Sequence, residues 1–314
     1  MQILDHLNAL PQAAYARPVL ALGNFDGVHL GHQAIFHHVR SRAQAIQGTG
    51  MVFTFEPHPL RVLRPEHAPP LLTTFEQKMQ LIAAEGIEVG LRVPFTDVFA
   101  QQQPDEFIQE VLCRTIGARE LVVGYDFRFG HQRTGTVEHL QAAAAIHGYR
   151  LTVVPAITVA GLTVSSSNIR KLVRRGDVED ASHLLGRYYA IEGPVVEGFR
   201  RGRTIGFPTA NVQSINEIVP QTGVYAVRVT WRHEHLDGVA NVGYNPTFGN
   251  DALSVEAHLF DFQADLYGET IRVAFVRKIR DERKFDSVDA LIAQIAQDAE
   301  QARAIHAELA SSSS

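Results

Sequence analysis

Val19-Leu20-Ala21-Leu22-Gly23-Asn24-Phe25-Asp26-Gly27-Val28-His29-Leu30-Gly31-His32 is the stretch on which the first half of the chain turns. Its opening run, Val19 to Leu22, reads as a short buried strand. Beyond His32, apolar residues recur at one-turn spacings (Ile35, Phe36, Val39, Ala43), which predicts a helix. The loop between carries Gly23, Gly27 and Gly31, so its backbone can come close to a bound anion. A helix starting there aims its open N–H groups and the positive end of its dipole at the same point. His29 and His32 are three apart, face one way at that start, and can both reach a phosphate. Together these features suit a nucleotide polyphosphate. Taken bare, the two imidazoles could equally be capping or surface groups. A zinc site would need a third ligand, and no residue stands at a recognisable spacing for one.

From Val19 to about Val154, strand-like runs alternate with helical ones. The strand candidates are Val19–Leu22, Met51–Phe55, Glu88–Val93, Leu121–Val123 and Leu151–Val154. One helix opens at Thr74 with Gln77 three residues on, a capping-box pattern. Another follows Pro104, with Phe107, Ile108, Val111 and Leu112 on one side. Such alternation implies βαβ units and a parallel, Rossmann-like sheet, whose ligands bind beyond the carboxyl ends of the strands. The pattern changes at Gly186, a natural C-cap for the helix Val178–Leu185. Short strands then dominate: Tyr189–Glu192, Val195–Val196, Val224–Trp231, Val239–Val242, Leu253–Phe260 and Ile271–Val276. Turn residues punctuate them, predicting a small antiparallel barrel. A terminal amphipathic helix carries Val288, Leu291, Ile292, Ile295, Ala299, Ala302, Ile305 and Leu309 on one stripe. The expected division is therefore residues 1–185, 186–310 and a disordered tail, 311–314.

Four further stretches can carry chemistry. Gly124-Tyr125-Asp126-Phe127-Arg128-Phe129-Gly130 follows a strand and suits an aromatic ring with a polar edge, or is simply an aromatic packing loop. Ser165-Ser166-Ser167-Asn168-Ile169-Arg170 opens a helix. Its hydroxyls either cap that helix or, with Arg170, bind a phosphate. Gly198 to Asn211 holds Arg200, Arg201 and Arg203, then Gly206-Phe207-Pro208-Thr209-Ala210-Asn211. Thr209 and Asn211 offer neutral oxygens two residues apart, hard ligands suited to Mg²⁺. In the strand from Ser254, alternation puts Ser254, Glu256 and His258 on one face, making Glu256 either a surface carboxylate or a general base.

The 314 residues suffice for two domains, and 45% hydrophobic with 20% charged residues describes a folded globular protein. A net charge of −5 gives no general attraction to nucleic acid or anionic membrane. Cys113 is the one cysteine, so no internal disulfide is possible. Residues 1–20 lack a basic leader and apolar core, and no run approaches a bilayer span, so the expected location is the cytoplasm. The expected partners are small molecules, without nucleic acid or membrane, and the expected assembly is a monomer or weak homo-oligomer.

Read together, these motifs resemble the bacterial bifunctional riboflavin kinase/FAD synthetase (RibF) family, in order, from about Val19 to about Ala302. Gly23–His32 resembles the nucleotidyltransferase signature, and Ser165–Arg170 its second signature, with Ser167 in place of a threonine. The resemblance implies an N-terminal nucleotidyltransferase domain and a C-terminal barrel of riboflavin kinase type. It implies catalytic roles for His29, His32, Arg170 and Glu256. ATP would be bound by Gly23, Phe25, Asp26, Gly27, Gly31, Ser165, Ser166 and Ser167 in the first half. Gly206, Pro208, Thr209 and Asn211 would bind it in the second, with Thr209 and Asn211 also holding Mg²⁺. His58, Asp126, Phe127, Arg128, Arg283 and Phe285 would contact the flavin. Its substrates and products would be ATP, riboflavin, FMN and FAD. A nucleotidyltransferase with another acceptor would leave the barrel unexplained. A flavin-binding protein with a relic site would not need Thr209, Asn211, Glu256, His29, His32 and Arg170 all in place.

Overall fold

Six strands make the sheet of the first unit in the computed structural model, which describes residues 1–10, 15–197, 206–244 and 253–312. They are β1 (Gln2–Leu4), β2 (Val19–Leu22), β3 (Gly50–Phe55), β4 (Val89–Val93), β5 (Glu120–Gly124) and β6 (Arg150–Val154). All pairs are parallel and the order is β1-β4-β3-β2-β5-β6. Both faces of the central strands are covered, which is why β2, β3 and β5 run almost continuously apolar rather than alternating. Leu20, Leu22, Met51, Phe53, Leu121 and Val123 pack on one side with Phe107, Ile108, Val111 and Leu112. Val19, Ala21, Val52 and Val122 pack on the other, against Ile35, Phe36 and Val39 of helix α1 (Leu30–Ile46). Helix α2 (Phe75–Ala84) opens with the complete Thr74–Gln77 capping box. Helix α3 (Val137–His147) crosses to β6. The sequence pattern missed β1, too short to show a period, and the two-residue strands β7 (Thr158–Val159) and β8 (Leu162–Thr163).

The chain runs outward from β2 through β3 to β4, then returns to place β5 on the other side of β2. The carboxyl ends of β2 and β5 thus form a topological switch point, where open α/β sheets bind ligands. Both loops singled out above, 23–29 and 124–130, leave from those two ends.

The chain divides into compact units at Ser165/Ser166, earlier than the change of pattern at Gly186. The reason is that helices α4 (Ser166–Arg175) and α5 (Val178–Leu185) belong with the barrel. Helix α5 packs on the barrel strands, and Glu179 on it bonds Arg277 at 2.8 Å. Gly186 does cap it, at φ +70°. The barrel strands are β9 (Tyr189–Val196), β10 (Ala210–Val212), β11 (Gly223–Trp231), β12 (Glu234–Tyr244), β13 (Leu253–Leu259) and β14 (Thr270–Arg280). They close in the order β10-β13-β12-β11-β14-β9, every pair antiparallel. Two expected strands are one, since Gly193-Pro194 does not interrupt β9. The three-residue β10 is too short to read from periodicity.

Helix α6 (Val288–Ser312) lays Ala299, Ala302, Ile305 and Leu309 against the barrel, while Val288 is exposed. It continues through Ser311 and Ser312 rather than ending at 310, and the Ser311 hydroxyl donates to the Glu308 carbonyl at 2.7 Å. Asp298 lies on its buried stripe, where a charge is unexpected from the pattern. It is 3% exposed and accepts from Arg280 Nε at 2.9 Å and Nη2 at 2.7 Å. Asp298→Ala leaves the Arg280 guanidinium, 19% exposed, without its carboxylate, and is expected to cost about 1–3 kcal/mol. Urea unfolding followed through the barrel's Trp231 reads this directly.

Candidate functional site

Loop 23–29 adopts its path because several side chains force it. Phe25 and Val28 are non-glycine residues at φ +53° and +41°, and Gly27 sits at φ +80°. In the two non-glycine residues such conformations cost roughly 1–3 kcal/mol each and persist only where surroundings over-determine them. Asp26, 5% exposed, supplies part of that. Its carboxylate accepts from the Leu72 N–H at 2.9 Å and the Thr73 N–H at 3.3 Å, pulling segment 72–73 over the loop. The Gly27 N–H then donates to the Thr73 hydroxyl at 3.3 Å. A Cβ at Gly27 would come 2.7 Å from the Leu72 Cδ1, and one at Gly23 would come 2.9 Å from the Phe25 ring.

His29 caps α1. Its Nδ1 accepts the His32 N–H at 3.3 Å, which places the ring proton on Nε2. The His29 and His32 rings stack at 3.6 Å, 18° apart, and Phe25 meets His32 edge-on at 5.2 Å. The two imidazoles therefore do face one way at the helix start. A side chain at Gly31 would crowd the His29 ring at 3.2 Å.

A cleft beside this loop is lined by Asn24, Asp26, Glu56, His58, Thr73 and Lys78. His58 caps a short helix (Pro59–Leu63) through Nδ1, 3.2 Å from the Leu60 N–H, and its Nε2 lies 3.4 Å from the Asn24 amide. Lys78 is 6% exposed, and burial pulls its ammonium down from the usual lysine range to about 8, partly countered by Glu56 and Asp26. Nothing in the sequence flags it, because a lysine on an amphipathic helix ordinarily faces water.

Asp126 and Arg128 are exposed in loop 124–130. Phe127 is half-buried, stacked on Phe129 at 5.7 Å and 17° and packed on the core. The packing reading thus holds for Phe127, leaving the two charged neighbours on the surface at the switch point. Ser166, Ser167 and Arg170 lie in the first turns of α4, in the second unit, and Ser165 immediately precedes it.

In the barrel, Asn211 on β10, Glu256 on β13 and Asn241 on β12 form one row across three strands. Asn211 is 7% exposed, and its Oδ1 is buried with no hydrogen-bond partner among the described residues. A buried, unsatisfied carbonyl oxygen beside a carboxylate is the donor a hard cation would take. Thr209 stands two residues before it, after Gly206 at φ +87° and Pro208. His258, two residues beyond Glu256, donates from Nδ1 to the Pro208 carbonyl at 2.8 Å and meets Phe207 edge-on at 5.5 Å. It ties the 206–209 segment to the strand bearing Glu256, a link that alternation alone did not reveal. Arg283 lies over the Phe285 ring at 4.9 Å and bonds Gln294 on α6. Arg200, Arg201 and Arg203 lie outside the described residues. Among the described residues no three His, Cys, Asp or Glu side chains cluster for a metal, and no helix is long and apolar enough to cross a membrane.

Two family models match, FAD synthetase over residues 12–168 and riboflavin kinase over residues 185–306. A bifunctional riboflavin kinase/FMN adenylyltransferase of Bacillus subtilis is 40% identical, over 95% of this chain and 96% of its own. Its counterpart in Escherichia coli K12 is 39% identical with the same coverage. A crystal structure from Streptococcus pneumoniae, described as a macrolide-efflux protein, has a TM-score of 0.87 at 32% identity and covers 96% of this chain and 98% of its own. With its parallel sheet, its closed barrel and both family models matched in sequence, the chain belongs to the bifunctional riboflavin kinase/FMN adenylyltransferases.

Proposed function

We propose that the two activities of this family are divided between residues 1–185 and 186–310, with separate sites of named residues. The observation that carries the reading is the row Asn211–Glu256–Asn241 in one half and the stacked His29–His32 pair at a strained loop in the other. In the barrel, Glu256 takes the proton of the ribityl 5′-hydroxyl of riboflavin. That oxygen forms a bond to the γ-phosphorus of ATP, the γ-phosphorus–oxygen bond to the β-phosphate breaks, and ADP leaves with FMN formed. Thr209 and Asn211 would hold Mg²⁺, which when bound neutralises charge on the phosphates. The unsatisfied Asn211 Oδ1 supports that assignment. Gly206 and Pro208 shape the segment that His258 holds against β13.

In the α/β half, an FMN phosphate oxygen attacks the α-phosphorus of a second ATP. The bond from that phosphorus to the pyrophosphate oxygen breaks, giving FAD. No protein base is required, because the nucleophile is already an anion. His29, His32 and the start of α1 would stabilise charge on the transferring phosphate, and a phosphate-binding role is kept for Arg170 and for Ser165 to Ser167. The cleft at His58 and the loop at Asp126 and Arg128 would receive the flavin, as would Arg283 and Phe285 in the barrel half. The cytoplasm and a monomeric or weakly associating state are the setting this reading expects.

The test is incubation of the purified chain with riboflavin, ATP and Mg²⁺, with flavins separated over time. FMN should appear and then convert to FAD. FMN accumulating alone would remove the assignment of the first half.

A further inference from the structure

We propose that Lys78 is a positioning residue for adenylyl transfer, fixing the backbone of the nucleotide loop through the Asn24 carbonyl. The inference rests on residues 1–185 being the adenylyl-transfer half. Lys78 Nζ donates to the Asn24 carbonyl at 3.3 Å and to the Thr54 hydroxyl at 3.2 Å, and that hydroxyl donates to the same carbonyl at 3.2 Å. Thr54 is fully buried on β3. The three groups close a triangle that clamps the loop to the end of the neighbouring strand. Asn24 immediately precedes Phe25, whose φ of +53° needs holding from outside. Asp26 fixes the far side of the same turn to Leu72 and Thr73. Lys78 thus anchors the entry to the turn and Asp26 its middle, with the His29–His32 stack following directly.

A structural lysine would not be expected here. Burying an ammonium is unfavourable unless strong partners compensate, and the two oxygens it reaches are neutral. Its charged surroundings are Asp26 on the loop and Glu56 after β3, with His58 on the cleft wall. On β4, Arg92 lies over the Phe75 ring at 5.0 Å, against 5.1 Å for Lys78, and is itself paired with Asp5. A methionine of similar length would suit the site better for stability alone. The arrangement makes sense as a device that fixes a strained loop.

Lys78→Met, Lys78→Arg and wild type are to be compared for FMN-to-FAD conversion across pH, with riboflavin phosphorylation in the same preparations as the control. Lys78→Met should lower kcat for FAD formation about 100-fold, the scale of a small misplacement of catalytic groups, with KM for FMN little changed. Its thermal midpoint should be no lower than wild type, phosphorylation should be intact, and Lys78→Arg should recover part of the loss. Wild-type FAD formation should fall as pH rises through about 8, where the ammonium loses its charge, and phosphorylation should not share that fall. Wild-type-like FAD formation by Lys78→Met, or a loss confined to KM, would overturn the proposal. So would a loss of activity that merely tracks a lowered thermal midpoint. Failure of wild type itself to make FAD would instead remove the reading beneath it.

Discussion

His32→Ala should lower FAD formation from FMN about 10²–10³-fold, the usual consequence of removing one preorganised donor to developing phosphate charge, about 2.7–4 kcal/mol. FMN formation from riboflavin should stay within about twofold, because His32 and the barrel residues assigned to phosphorylation lie in different compact units and share no partner among the described contacts. His32 stacks on His29 at 3.6 Å, and the His32 backbone N–H holds the His29 ring as the helix cap. The cap bond comes from backbone, so truncating the side chain leaves it intact while removing one imidazole. Two activities in one chain provide the control. An unchanged thermal midpoint together with the retained second reaction separates loss of the site from loss of the fold. Separate assays from FMN and from riboflavin check this, and a parallel fall in both would contradict it.

The second large effect is the mirror image. Glu256→Ala should remove FMN formation by about 10²–10⁴-fold, the range for a lost general base. FAD formation from supplied FMN should persist. Glu256 pairs across the barrel with Asn211 and Asn241, so its backbone place is fixed from both sides and the truncation leaves the strand ladder unchanged. Glu256→Gln keeps the shape and hydrogen-bonding capacity but not the basicity. It should lose about as much activity as the alanine, which separates proton transfer from packing.

How much of this was legible in the residues differs by kind of signal. The β2 strand, the α1 apolar face, the Thr74–Gln77 box and the Gly186 cap were readable because each is a local rule satisfied locally. The barrel was readable from alternation and turn residues, although β10 was not, since three residues show no period. The division at Ser165/Ser166 was hidden, because α4 and α5 read as the close of the first half while α5 packs on β9 and β14. Lys78 and Asp298 were invisible for a different reason. Each is a charge on a helix whose buried status depends on a partner distant in sequence, Asn24 and Thr54 for one and Arg280 for the other. His258 was on the right face, but its bond to the Pro208 carbonyl joins segments 50 residues apart. Local chemistry was legible, and tertiary satisfaction of buried polar groups was not.

If the two reactions use independent sites, a mixture of the two variants restores what each has lost. Alone, His32→Ala should carry riboflavin only to FMN, and Glu256→Ala should leave riboflavin untouched. Combined in one vessel with riboflavin, ATP and Mg²⁺, they should make FAD, with FMN released by one protein and consumed by the other. A mixture that yields no FAD, although each variant keeps its own remaining activity, would mean that the two sites are not independent.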